Sequence, residues 1–452
     1  PEAFHVRDFE NYRTELERRF VVIDPEERVR IIASQMEALA KEKQGVLDLS
    51  DQTLLWQAAY TVESPKAICG NFDRAFLDIP KEIIITAMAE HQGYFPLYGT
   101  DGTLLPHFIT ISNIETADMS IIQKGNERVL RARLVDAQFY FDQDRKRTLS
   151  EWVNPLQRVT FQEALGSVRE KVGRLTTLAV FIAKETGCPE SETLAVERAA
   201  HLCKADLISG VVREFTSLQG TMGRIYATLD GEHPKVAKAI EEHYLPRHAG
   251  GLLPKTLYGG ILAIADKLDT LVGCFGVGLI PSGSEDPYAL RRQGLGLIQI
   301  IISESAFHTL SIQKTILETI RQYEAQDKFS GEAVLEPLLV FLKQRLDSLL
   351  QSEGIRYDLR EAVLTNTMDQ PAETVKRAKA LVQFTAAPLF KPLMTAFKRA
   401  IRILPVGFEG KTDPDLLDQP AEQKPQGGSP NSERIVGRPE ICRNPRIPLN
   451  AV

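Results

Sequence analysis

The chain has 452 residues, 43% of them hydrophobic and 25% charged, with a formal net charge of −6. At roughly 100–200 residues per domain this is material for two to four domains, in an ordinary globular composition that excludes a collagen, a coiled-coil rod and a wholly disordered chain. No run of about 18 apolar residues is present, which excludes a membrane-spanning helix, and the acidic balance excludes a surface coated in basic charge while leaving room for local basic patches.

The first residue is Pro1, not Met, and no basic-apolar-small leader follows. We therefore expect a fragment whose natural start lies upstream, not a secreted precursor. Cys69, Cys188, Cys203, Cys274 and Cys442 stand singly, without a C-x-x-C pair. Neither a zinc ribbon nor a disulfide framework is expected, and a reducing cytoplasm is the expected setting.

Residues 24–45 predict a helix. Asp24 caps it, Pro25 suits its first turn, Glu26 and Glu27 complement the dipole, and Val29, Ile32, Met36 and Leu39 share one face up to Gly45. From about 60 to 115, short β-rich runs such as His107–Ile111 alternate with turn residues such as Asp101-Gly102, predicting an α+β region with a sheet. Over 124–147, seven basic residues stand against four acidic ones. This segment reads either as a solvated amphipathic element laced with salt bridges or as a phosphate-contacting strip.

Thr160-Phe161-Gln162-Glu163 matches a capping box and predicts a helix start, with Val168, Val172, Leu175, Leu178 and Ile182 as its buried stripe and Gly187 as its stop. Helical patterns continue to about 305 and again over 306–366, where Leu335, Leu338, Leu342, Leu346 and Leu349 mark a face. Residues 370–402 carry seven bases and one acid, Glu373, with Val375, Leu381, Val382, Phe384, Leu389 and Phe397 as apolar positions. A basic helical region of this kind is a candidate RNA-binding element, or else a solvated face. From about 424, prolines and glycines without an apolar period predict disorder.

Several motifs fail on inspection. Glu409-Gly410-Lys411-Thr412 lacks the upstream glycine of a phosphate loop, since that position is Pro405. Gly276-x-Gly278 is followed by Ile280 and Pro281 rather than a helix start, so the glycines serve a turn. His243 and His248 lie five apart around Pro246, the wrong spacing for a zinc-peptidase helix. A more informative order runs from Ala199 to Asp206 with His201, then Glu242-His243, then Ala263 to Asp269 with Asp266. It resembles HD-type phosphohydrolases, helical bundles whose His-Asp doublet, later histidine and late aspartate hold a hydrolytic metal. Here Cys203 and Lys204 stand in the place of the doublet, and an ammonium repels a divalent cation. The expectation is an HD-like domain whose metal site (Cys203, Lys204, His243, Asp266) is degenerate and empty of metal, with its polar groups turned to structure.

A longer resemblance covers most of the chain. Phe72-Asp73 through Phe76-Leu77 with Pro80, His91 to Pro96, Gly125 to Leu134, Leu202 to Leu207, Leu218 to Gly223, Glu242-His243-Tyr244, Ala265 to Leu271 and Asp286 to Arg292 occur in one order that is similar to the β subunit of bacterial-type, two-subunit glycyl-tRNA synthetase. Gly93 and Arg402 depart from it, where that family usually has lysine and asparagine.

The resemblance implies a mainly α chain with an α+β N-terminal region, multidomain, divided as 1–155 (α+β), 156–305 (HD-like), 306–370 (helical linker), 371–423 (start of a helical anticodon-binding domain) and 424–452 (divergent tail). It implies a chain lacking the family's N-terminal portion and most of the anticodon-binding domain; a frameshift or truncated gene would account for the tail. It also implies a subunit of glycine-tRNA ligase that binds tRNA(Gly) and a separate α subunit, in an α2β2 assembly, with ATP and Mg²⁺ held by that α subunit. No cofactor and no catalytic residue is expected in this chain, which carries no class I or class II ATP signature. The competing readings are an active HD phosphohydrolase and a nonfunctional remnant. Candidate tRNA contacts are Arg128, Arg131, Arg133, Arg145, Lys146 and Arg147, then Arg291 and Arg292, then Lys376, Arg377, Lys398 and Arg399.

Overall fold

A computed structural model describes residues 3–49, 52–283, 285–365 and 369–403. The expected tail over 424–452, the stretch 404–423, Glu409–Thr412 and Cys442 lie outside the described residues. The chain divides into two compact units, Pro1–Ile300 with Ile312–Leu338, and Ile301–Ser311 with the chain from Leu339 onward.

The first unit opens with α1 (Phe9–Glu17), α2 (Pro25–Glu42), β1 (Val46–Leu47), α3 (Thr53–Thr61), β2 (Lys66–Asn71), α4 (Lys81–Gln92), β3 (Phe95–Tyr98), β4 (Leu104–Ser112) and α5 (Met119–Asp144). The Asp24 carboxylate accepts from the Glu26 amide at 2.9 Å, and Pro25 occupies the first turn of α2 as expected. The helix stops earlier than expected: Gln44, not Gly45, takes the left-handed backbone (φ +55), and the Gly45 amide returns to the Ala40 carbonyl.

The strands form an antiparallel sheet in the order β1-β3-β4-β2. Successive side chains on a strand face opposite ways, so each face has its own core. Phe95, Leu97 and Ile109 pack with Ile32, Met36, Leu55 and Ala59 of α2 and α3. In the other direction Phe108 stacks on Tyr94, whose hydroxyl donates to Asn126 of α5 at 2.6 Å. Gly70 is required there, because a Cβ would overlap the Phe108 ring. Side chains seal the outer edge of β2: Gln35 Oε1 accepts from the Ala67 amide (2.7 Å) and Glu127 Oε1 from the Asn71 amide (2.9 Å).

The first unit continues through β5 (Thr160–Gln162), β6 (Gly166–Ser167), α6 (Val168–Glu185), α7 (Glu190–Leu202), α8 (Gly210–Glu214), α9 (Thr221–Leu229), α10 (Pro234–Glu242), α11 (Leu257–Gly276), α12 (Leu290–Ser303) and α13 (Ile312–Glu324). The helix start expected at Thr160 is corrected: Thr160–Gln162 pairs with β6 as a small hairpin, and the capping box is Ser167 with Glu170. Both sites match S/T-x-x-E, and the turn at Gly166 (φ +89) decides between them. The predicted stripe Val168, Val172, Leu175, Leu178 and Ile182 is buried. Apolar nearly all round, α11 is the central helix of this bundle, packing on α6, α7, α10 and α13.

In the second unit, α14 (Leu335–Ser352) is followed by α15 (Tyr357–Leu364), α16 (Pro371–Thr385) and α17 (Phe390–Ile403). Leu342, Leu346 and Leu350 bury the inner face of α14, and the Arg360 guanidinium donates to Asp347 at 2.7 Å. Of the apolar positions expected over 370–402, Val375 is buried and Leu381 half-buried, whereas Val382, Phe384, Leu389 and Phe397 are exposed. α16 uses Pro371, Ala372, Val375 and Ala378 for its contacts, and α17 has no buried residue.

Candidate functional site

Between α6, α11 and the end of α7 lies a chain of buried charges. Lys204 Nζ sits 2.8 Å from Asp266 Oδ2, and Lys171 Nζ lies 3.0 Å from Asp266 Oδ1 and 2.9 Å from Asp269 Oδ2. The Arg174 guanidinium continues the chain, donating to Asp269 at 2.6 Å and to Gln326 at 2.8 Å, with its face 4.0 Å from the Tyr323 ring centroid. Burial alone would raise the pKa values of Asp266 and Asp269. Lys171 and Lys204 outweigh it at Asp266, Lys171 and Arg174 outweigh it at Asp269, and both carboxyls are held below the ordinary carboxylate range.

The rest of the cluster is polar but under-satisfied. His243 Nδ1 lies 2.6 Å from the Ile240 carbonyl, which makes it the donating nitrogen of a neutral ring. Burial and the Lys204 ammonium keep that ring neutral, well below its ordinary pKa. Among the described residues, His243 Nε2, Tyr244 OH and Asp206 Oδ1 are buried without a hydrogen-bond partner. Asp206 Oδ2 accepts from the Gly220 (2.6 Å) and Gly223 (2.9 Å) amides, and burial pushes its pKa up to about 6. Cys203 Sγ points to the Ala200 carbonyl at 3.2 Å, and burial pushes its thiol up to about 12, so it is an inert packing group. Lys267, lowered to about 8 by burial, donates to the Leu245 carbonyl at 2.7 Å.

The structure thus brings Lys204, His243 and Asp266 together, with a lysine ammonium between the aspartate and the Tyr244 face, 4.0 Å from the ring centroid. Among the described residues, no three His, Cys, Asp or Glu side chains are placed to hold a metal ion.

The basic candidates divide by what they already touch. Arg133 pairs with Glu214 (3.4 Å), Arg145 with Asp230 (3.0 Å) and Arg377 with Glu373 (2.8 Å). Arg291 donates to the Gly283 and Glu285 carbonyls, so it holds its own loop. Lys146 reaches Gln143 at 2.9 Å. Arg128, Arg131, Arg147, Arg292, Lys376 and Arg399 are exposed, and none makes an ion pair among the described residues. Lys398 is half-buried. Arg128 and Arg131 stand about one turn apart on α5, away from its buried face at Leu130, Leu134 and Ala137.

The sequence model of one protein family, described as glycyl-tRNA synthetase beta subunit, matches residues 1–365. This chain belongs to that family. It is 43% identical over 420 residues to the glycine--tRNA ligase beta subunit of Desulforamulus reducens, covering 92% of this chain and 60% of that protein. It is 43% identical over 424 residues to that of Syntrophus aciditrophicus (94% and 61%) and 45% identical over 420 residues to that of Geotalea daltonii (93% and 60%). The chain therefore spans about 60% of the length of these relatives. Of the strings that carried the resemblance, Gly125 to Leu134 lies on α5 and Ala265 to Leu271 within α11.

Sequence reasoning missed Lys171, Arg174 and Asp269. A signal was present, since Lys171 and Arg174 are charged residues set into the apolar stripe of α6, where an unpaired charge is untenable. It also missed Asp144, whose buried carboxylate accepts from the Gly210 and Val211 amides and the Tyr226 hydroxyl. No helix among the described residues is long and apolar enough to cross a membrane.

Proposed function

We propose that the chain acts in the cytoplasm as the tRNA-handling beta subunit of glycine-tRNA ligase. It positions tRNA(Gly) for ATP-dependent glycylation performed with a separate alpha subunit that holds ATP and Mg²⁺, two copies of each subunit assembling together. The observation that carries this reading is membership of the beta-subunit family across residues 1–365. Charging needs the RNA acceptor end beside an activated acyl group, and holding two large reactants in register supplies several kcal/mol of the barrier. Cationic side chains on phosphate can do this without reading sequence. The exposed bases without ion pairs, Arg131, Arg147, Arg292, Lys376 and Arg399, suit that task better than Arg133, Arg145, Arg291 and Arg377, which are already engaged.

We read residues 156–305 as an HD-like domain that has exchanged a metal for an internal ammonium. Lys204 holds Asp266 in the way a cation would, but it offers no Lewis acid and no water to activate. This chemistry disfavours the phosphohydrolase reading. The test is titration of fluorescent tRNA(Gly) with the full chain, alone and with its alpha subunit, across a salt series. Binding whose logarithm falls linearly with log salt supports the reading. Salt-independent or absent binding in both mixtures overturns it.

A further inference from the structure

Five lysine and arginine side chains are buried among the described residues: Lys171, Arg174, Lys204, Lys267 and Arg360. Four of them meet a carboxylate within 3.0 Å: Lys171 and Lys204 at Asp266, Arg174 at Asp269 and Arg360 at Asp347. Lys267, 5% exposed, makes no ion pair among the described residues. It spends one of its three donors on the Leu245 carbonyl at 2.7 Å. Asp266, next to it in the chain, favours its charge, whereas Lys204, Lys171 and Arg292 all oppose it. A neutral donor would hold that carbonyl without the cost of burying an unpaired ammonium, which exceeds what one hydrogen bond returns. Holding Leu245 is therefore a poor account of a lysine at this place.

Arg292 and Gly296 lie one turn apart on α12, hence on one face of it. Lys267 crosses that face at the glycine, where a Cβ would come within 3.2 Å of Lys267 Cε and 3.0 Å of the Pro246 ring. Gly296 thus admits the lysine chain against α12, close to Arg292. Arg292 is exposed and makes no ion pair among the described residues. It also stands in the first turn of α12, where the helix dipole disfavours a cation. Two neighbouring cations therefore lack a counter-charge, one at the surface and one beneath it.

We infer that Lys267 and Arg292 form a phosphate-binding slot, in which Arg292 receives the group at the surface and Lys267 donates to it from beneath. A phosphate has oxygens enough to meet a guanidinium fork and an ammonium at once. It supplies the negative charge that the four other buried cations find within the chain. Sequence alone nominates Arg292 and leaves out Lys267, because the approach of α11 to α12 at Gly296 is what joins them. The slot stands on this charge and geometry. Only RNA as the source of the phosphate rests on reading the chain as a tRNA-handling subunit; free phosphate offers the same chemistry.

The test has two arms, both with the full chain. In the first, the chain is melted in sodium phosphate and in sodium chloride of equal ionic strength. Phosphate raises the melting temperature of the wild type. Arg292→Gln and Lys267→Met each lose half or more of that increment, whereas Arg377→Gln, in the second unit, keeps it. Arg292→Gln changes an exposed group, and Lys267→Met exchanges a buried unpaired charge for an apolar chain, so both retain the fold. An increment shared by all three variants, or one that sodium acetate reproduces, overturns the slot. A Lys267→Met chain that unfolds in chloride, beside an Arg292→Gln chain with the full increment, overturns it too and leaves Lys267 a structural group. In the second arm, tRNA(Gly) is titrated across a salt series, and Arg292→Gln lowers the salt slope by about one. A lost phosphate increment with an unchanged tRNA slope supports a slot for free phosphate and overturns RNA as its source. A wild type that responds to phosphate but binds no tRNA overturns the tRNA-handling reading and leaves the slot in place.

Discussion

Lys204 Nζ rests 2.8 Å from Asp266 Oδ2 inside the helical bundle, above the Tyr244 ring and beside a neutral His243. An ammonium at this point satisfies an aspartate that would otherwise be stranded in apolar surroundings. The pair is one end of a longer chain in which Lys171 bridges Asp266 to Asp269 and Arg174 closes on Asp269. Three cations against two carboxylates make the chain structural, and each of its members depends on the others.

Breaking that chain at Lys204 leaves Asp266 with Lys171 alone. Lys204→Met is expected to cost about 3 kcal/mol in urea unfolding, the low end for one partner of a buried pair. Adding Asp266→Asn to Lys204→Met recovers part of that loss, because the stranded charge goes with it. A double variant that loses the sum of the two single effects contradicts the coupling.

Asp206 gives a pH dependence with a definite sign. Its folded pKa, raised to about 6, exceeds the ordinary aspartate value, so the folded chain keeps a proton that the unfolded chain has released. That stabilisation is complete below pH 4 and is lost as pH rises through 6, roughly 3 kcal/mol in all. Asp206→Asn keeps an acceptor for the Gly220 and Gly223 amides and does not titrate. The stability of the wild type relative to Asp206→Asn therefore falls between pH 4 and 6.5. His243, held neutral by burial and Lys204, contributes the opposite slope in the same window, but it does so in both chains and cancels in the difference. A flat difference across that window refutes the assignment.

Asp144 ends α5 by tying it to α8 and α9 through Gly210, Val211 and Tyr226. Asp144→Ala strands these buried donors and is expected to cost about 2–4 kcal/mol. Hydrogen exchange should show the loss concentrated in α8 and the adjoining turn of α5. A change under 1 kcal/mol shows that water replaces the carboxylate.

The bases sort into two kinds by experiment. Arg131→Glu and Arg147→Glu are expected to weaken tRNA binding and lower its salt slope by about one for each phosphate that is no longer neutralised. Arg291→Ala should leave the slope unchanged while loosening the loop at Gly283 and Glu285. Equal slopes for all three variants remove Arg131 and Arg147 from the RNA surface.

What could be read without coordinates followed locality. The α2 cap, the β4 run and the α6 stripe depend on neighbours a few residues apart, and periodicity reports them. The α6 start was misplaced because Thr160-x-x-Glu163 and Ser167-x-x-Glu170 are equivalent patterns, and only the pairing of β5 with β6 separates them. The partners of Arg174 and Lys171 lie in α11, nearly 100 residues on, so the sequence exposes the problem of two charges on a buried stripe but not its solution. The order of the motifs drew Lys204 and Asp266 into one candidate cluster. Their direct ion pair needed the fold. Over 370–402, amphipathic spacing marks an apolar face without saying what covers it.

The most direct test of the whole account is glycylation of tRNA(Gly) by the alpha subunit with and without this chain, in the presence of ATP and Mg²⁺. The account predicts that the alpha subunit alone charges poorly and that adding the chain raises charging in proportion to the complex formed. Charging that is indifferent to the chain contradicts it, most sharply if the chain by itself hydrolyses phosphate esters with an added divalent metal.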